Sequence, residues 1–248
     1  GGLRPALGGA LGPLAVWIMN GHVVASLRYL VYYIIRLAIS YSYGTVTRGK
    51  FMQRLWVSGY RDYELGLFDP AAPEIKVIKR VLQERIGTWL DQQTEPTWLI
   101  TGPQAGVERW ALEVGLTLKA DYPTLQLGMV QPFVGVGQNW QPARQAALQQ
   151  MQSQVDYLGT LSQQPYQGPQ QLRDYQAFML AHSDQLLLVF DPAQDEQSER
   201  HAKSYYDYQV GQRAVAAGTY QMELVDFDDL REAGEALAEE ERERRREW

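Results

Sequence analysis

The segment Thr101-Gly102-Pro103-Gln104-Ala105-Gly106 leaves the apolar run TWLIT and passes directly into a helical pattern opening Val107-Glu108-Arg109-Trp110. Backbone N–H groups of such a loop, together with those of the first helical turn, converge on one spot with partial positive charge. That arrangement holds a phosphate. Glu108, in the first turn, has two roles open to it. It is either a carboxylate favoured by the helix dipole, worth ~0.3–1 kcal/mol, or an acceptor for ribose hydroxyls beside the phosphate. The expected ligand contacts at this corner are Thr101, Gly102, Gly106 and Glu108.

Further candidates stand where other apolar runs end. Gly59, Tyr60 and Arg61 follow RLWVS. A glycine there lets backbone approach a ligand closely, Tyr60 offers a ring face, and Arg61 is either a partner for an anion or a plain surface charge. Phe133 follows LQLGMVQ, and Asn139-Trp140 before Pro142 offers a stacking ring or simply a helix start. Trp110, three residues after Val107, falls on the core side of its helix by spacing.

Other chemistries drop out. With no Cys in 248 residues, disulfide frameworks, thiol nucleophiles and thiolate metal sites are excluded together. His22, His182 and His201 are too dispersed for a histidine metal site, so none is expected. GVGQNW (135–140) lacks the third glycine of a dinucleotide fingerprint and follows the wrong strand. No G-K-[ST] loop follows a strand, and no G-x-S-x-G elbow occurs. His182-Ser183-Asp184 are sequence neighbours and read as a helix end rather than a triad.

Apolar runs of strand length position these residues: 54–59, 97–101, 125–131 and 185–190, with weaker runs near 156–161 and 219–225. Helical spacing fills the gaps. Ile78, Val81, Leu82, Ile86, Trp89 and Leu90 make one stripe, and Val107, Ala111, Val114 and Leu118 a second. Later stripes follow Pro142 and Pro169, and a last one runs from Ala202 to Val210 with Gly218 placed to end it. Strand and helix in alternation predict an α/β fold, a Rossmann-like three-layer sandwich with a mainly parallel sheet. Ligands of such sheets bind beyond the carboxyl ends of the strands, and four such exits are readable, at 58–61, 101–106, 131–133 and 191–192.

The net charge of −6 is uneven. Residues 1–51 hold Arg4, Arg28, Arg36, Arg48 and Lys50 and no acidic side chain, so residues 52–248 carry −11. That balance argues against nucleic acid as a partner. Segment 1–51 is interrupted by glycines, Pro13, Asn20 and two arginines, which makes it poor hydrocarbon. It reads as extraneous sequence upstream of a start at Met52, with a membrane anchor or an added helical arm as the alternatives. Membrane contact is confined to that segment, and the absence of Cys suits a cytoplasmic location. The expected organisation is 1–51 as this appendage, 52–230 as the Rossmann-like domain and 231–248 as a charged helical tail. Glutamine is dense from Gln138 to Gln171, but apolar residues at helical spacing interrupt it, so compositional drift is the reading.

Taken in order, VSGYRDYELGLF, TGPQAGVERWALE, QPF…NW, QPYQGP, SDQLLLVFDP and FDDL resemble the YpsA-like family (UPF0398, DUF1273) of bacterial proteins from Met52 to about Leu230. That family lies in the SLOG superfamily with DprA and the LOG nucleotide hydrolases. The resemblance implies a pocket for a nucleotide-derived ligand, related to NAD or ADP-ribose, lined by Gly102, Gly106 and Glu108, and it draws Trp110 toward that pocket. The function it implies is cytosolic ligand binding or sensing through a protein partner, in cell division or stress physiology, with no cofactor required. Two alternatives stay open. One is a LOG-like hydrolase cleaving a nucleotide N-glycosidic bond with Glu108, although the PGGxGTxxE signature is absent. The other is DprA-like single-stranded DNA binding, which the acidic balance opposes.

Overall fold

The computed structural model describes residues 52–246; the readings made for residues 1–51 lie outside them. Six strands form one sheet: β1 (Gln53–Gly59), β2 (Thr97–Thr101), β3 (Leu125–Phe133), β4 (Tyr157–Ser162), β5 (Gln185–Val189) and β6 (Gln221–Val225). Their order is β4-β3-β2-β1-β5-β6, and every neighbouring pair is parallel. The chain therefore winds outward from β1 to β4, then crosses back to place β5 on the other side of β1. The strand order reverses at β1 and β5, and their carboxyl ends mark the crevice where ligands of doubly wound sheets sit.

Seven helices cover the sheet among the described residues: α1 (Pro73–Asp91), α2 (Val107–Leu118), α3 (Pro142–Gln154), α4 (Pro169–Ala181), α5 (Pro192–Glu196), α6 (Lys203–Ala216) and α7 (Phe227–Arg246). Four of them begin on proline, whose fixed φ suits the first turn and whose missing N–H would have had no helical partner. Alternation along β1 sends Leu55 and Val57 into the core beneath α1, α2 and α3, and Trp56 into a second core beneath α4 and α6. Both faces are covered, which explains why β5 reads as a nearly unbroken apolar run.

Two boundaries differ from the sequence expectation. Strand β3 continues through Pro132 to Phe133, beyond Gln131. Its pairing with β2 ends at Met129, so the proline lies where one side of the strand is already free and its missing N–H breaks no ladder bond. The charged terminal helix begins earlier than residue 231. Asp226 accepts from the amides of Asp228 (3.0 Å) and Asp229 (2.9 Å), which starts α7 at Phe227 and lets Leu230 and Ala233 pack against the core under α1.

Asp184 fastens β5 to β1. Its Oδ2 accepts from the Arg54 amide (2.9 Å) and from Arg54 Nε (3.1 Å), and its Oδ1 accepts from Arg54 Nη2 (3.2 Å). The site is half-exposed, which screens the ion pair, so the loss falls mainly on the orphaned amide. Asp184→Ala is expected to lower unfolding stability by about 1–2 kcal/mol, read by urea denaturation, with a far smaller loss for Asp184→Asn.

Candidate functional site

Ser58 stands at the end of β1 on the face covered by α4 and α6, and it is fully buried. A hydroxyl in that position must find partners. It donates to Asp207 Oδ2 (2.7 Å) and receives a hydrogen bond from Lys203 Nζ (2.8 Å). The same ammonium donates to Glu108 Oε1 (2.5 Å) and to Asp207 Oδ2 (2.7 Å), which uses all three of its protons. Lys203 and Asp207 lie one turn apart on α6 and so share one helix face. The remaining oxygens are also engaged: Gln176 Nε2 of α4 donates to Asp207 Oδ1 (2.8 Å), and the Gln104 amide donates to Glu108 Oε2 (2.8 Å). Burial alone would pull the Lys203 ammonium down, but the carboxylates of Asp207 and Glu108 outweigh it and hold the group above the ordinary lysine range.

The loop above this cluster is shaped by two glycines. A Cβ on Gly102 would lie 2.4 Å from Glu108 Oε2 and 2.6 Å from the Tyr175 hydroxyl, so the space a side chain would need is already occupied. Gly106 has φ 114°, and a Cβ there would meet Tyr60 O at 2.5 Å. Its backbone forms an isolated antiparallel bridge with Arg61, which fixes the loop after β1 against the start of α2.

The expected cradle of amides is only partly open. Two of its donors are spent internally, because Val107 N donates to Tyr60 O (3.0 Å) and Gln104 N to Glu108. The amides of Ala105, Gly106 and Glu108 donate to no acceptor among the described residues. Under Gly102 the Tyr175 hydroxyl, buried on α4, has no hydrogen-bond partner. Burial, together with the negative charge of Glu108 and Asp207, pushes that phenol well above its ordinary range, so it stays a neutral donor.

The other sequence candidates divide. Thr101 is buried and donates to Val57 O (2.9 Å), tying β2 to β1. Gly59 ends β1 between Val107 and Val189. Arg61 binds Glu64 through its backbone N (2.7 Å) and its Nη2 (2.6 Å), and its guanidinium lies 4.7 Å over the Tyr63 ring. The Tyr60 ring is buried against Phe190 (5.6 Å) and Phe227 (5.5 Å), and burial raises its hydroxyl to about 12. The Trp110 ring is buried in the core beneath α2. Phe133 packs on Tyr166 (5.2 Å) at the far end of β3. Trp140 and Arg144 face Gly102, Gln104 and Arg109 across a narrow cleft of about 10 Å³, room for a single water.

Sequence reasoning missed Lys203, Asp207 and Tyr175 and did not single out Ser58. The only signals were the Lys-x-x-x-Asp spacing and the hydroxyl directly before Gly59. Among the described residues no group of acidic or histidine side chains could hold a metal ion, and no helix is long and apolar enough to cross a membrane.

Residues 55–230 match the model described as the YspA SLOG family. The chain is 43% identical over 193 residues to the UPF0398 protein of Limosilactobacillus reuteri (strain DSM 20016), covering 78% of this chain and 98% of that one. It is similarly 43% identical to the UPF0398 protein of Levilactobacillus brevis, with 76% and 95% covered. The UPF0398 protein of Lacticaseibacillus casei is 42% identical, with 77% and 96% covered.

Lys203→Met should destabilise the fold by about 3–5 kcal/mol, because two buried carboxylates lose their shared cation. The Lys203 value lies above the ordinary 10.5, so its contribution is complete below that pH and is lost as pH rises through the folded value. A series of thermal melts from pH 8 to 11 on wild type and Lys203→Met reads both effects, and the gap between the two proteins should narrow at the alkaline end. Gly102→Ala should displace Glu108 or Tyr175 and cost about 1–3 kcal/mol, measured by denaturant unfolding.

Proposed function

The chain belongs to the YspA SLOG family, and from that premise we propose that it binds or senses a nucleotide-derived ligand related to NAD or ADP-ribose. One observation carries the reading: unpaired donors gather around one fixed carboxylate at the carboxyl edge of the sheet. The free amides of Ala105, Gly106 and Glu108 suit a phosphate at the N-terminus of α2. Glu108 orders that corner through the Gln104 amide. Lys203 fixes Glu108 in turn.

A sensor fits this geometry better than a hydrolase. General acid–base work needs a carboxyl group within reach of the scissile bond, whereas Glu108 and Asp207 are 1% and 0% exposed and engaged on both oxygens. Nothing in the geometry favours DNA, and the acidic balance of residues 52–248 opposes it. A protein that binds without turnover acts through a partner protein. Its place in cell division or stress physiology rests on the family resemblance alone, and a cytoplasmic location on the absence of Cys.

Isothermal titration with ADP-ribose, NAD and AMP tests the proposal. At least one should bind, and Glu108→Gln should weaken it about tenfold or more by releasing the Gln104 amide, with no free base produced by either protein. Folded protein that binds none of the three would overturn the reading.

A further inference from the structure

Charge is distributed unevenly along this chain. In a protein with 21% charged residues, the 51 residues from Tyr122 to Leu172 contain two charged side chains, Arg144 and Asp156. Both are neutralised locally: Arg144 Nη2 pairs with Asp62 Oδ2 at 2.6 Å, and Asp156 Oδ2 with Lys119 Nζ at 2.6 Å. This segment supplies β3, α3, β4 and the start of α4, which together make one end of the sheet.

Strand β4 is the edge there. It pairs with β3 on one side and with nothing among the described residues on the other. Its sequence, YLGTLS, carries none of the devices that blunt an open edge, neither a charge nor a proline. Tyr157 and Leu158 are about half exposed, at 50% and 46%. Exposed apolar side chains continue from its far end: Val134, whose amide donates to Ser162 O, then Tyr166 and Leu172. Gln171 of α4 donates to Ser162 Oγ (2.9 Å), which keeps these groups next to the strand.

We infer that this neutral edge is a homodimer interface, with β4 pairing antiparallel to β4 of a second copy across a two-fold axis. Identical strands related by a two-fold meet antiparallel, so each satisfies the other's open N–H and C=O groups. Charge selects the occupant. Two chains this acidic repel wherever their charged surfaces meet, and an uncharged face is where copies approach without that cost. The opposite edge is closed to the same contact, since β6 carries Glu223, which is paired with Arg85 at 3.2 Å. Pairing therefore ends at two copies instead of growing into a filament.

Sedimentation equilibrium of the full chain from 0.1 to 100 µM should give twice the 28.2 kDa chain mass at the upper end. Leu158→Glu should weaken the dimer at least tenfold, with its thermal midpoint at low concentration unchanged, whereas Tyr206→Glu, an exposed position on α6, should leave association intact. Hydrogen exchange on the wild type supplies a readout free of mutation: β4 amides should gain protection between 1 and 100 µM. A monomer at 100 µM would overturn the inference. So would a dimer indifferent to Leu158→Glu or equally weakened by Tyr206→Glu, or β4 protection independent of concentration, which would mean the chain covers its own edge.

Discussion

The carboxyl end of the sheet depends on one ammonium group. Lys203 reaches from α6 to Ser58 on β1 and Glu108 on α2, and through Asp207 to Gln176 on α4. Helices from both faces of the sheet are thereby fastened at one point. A buried group of two carboxylates and one cation is no cheap way to hold helices together; well-packed apolar side chains of similar volume would serve at least as well. What the ions add is position. Each oxygen of Glu108 has an assigned donor, and the Gln104 amide is drawn down with it, so the loop after β2 has a single arrangement above a fixed negative charge. Pre-organisation of this kind lowers the ordering cost of binding.

Most of the fold was legible because its signals are local. TWLIT and QLLLV announce strands, and prolines at 73, 142 and 169 mark three helix starts, whereas the short helix from Pro192 to Glu196 has no stripe of its own to announce it. Even the weaker runs near 156–161 and 219–225 are strands, β4 and β6. The errors came at boundaries set by tertiary context. Pro132 looks like a strand terminator until the free side of β3 is known, and the start of α7 is fixed by an aspartate cap that lies in front of the charged run.

The site was half legible for the same reason. Gly102, Gly106 and Glu108 lie within seven residues, and their spacing describes a corner. Lys203 joins that corner across 95 residues of sequence, and a lysine four residues before an aspartate looks like any solvated helix pair. Nor does spacing reveal acceptors. That Val107 N is taken by Tyr60 O follows from the packing of the β1 loop against α2, which no local pattern encodes. Tyr175 lies in a plain apolar stripe; its unpaired hydroxyl becomes visible only once Gly102 is placed above it.

Glu64 joins two of these parts. Its Oε2 takes the Arg61 amide at 2.7 Å, and its Oε1 takes both the Arg61 guanidinium and the first amide of α6, Lys203 N, at 2.9 Å. The leading turn of α6 is thus tethered by a side chain from the segment after β1, while Ala202, at its own cap position, offers no side-chain acceptor. An anion that drew Arg61 away would loosen Glu64 and slacken the beginning of the helix that carries both Lys203 and Asp207. Occupancy at one end of the molecule would then be felt along a helix some 14 residues long, whose outer side, bearing Tyr206, faces solvent.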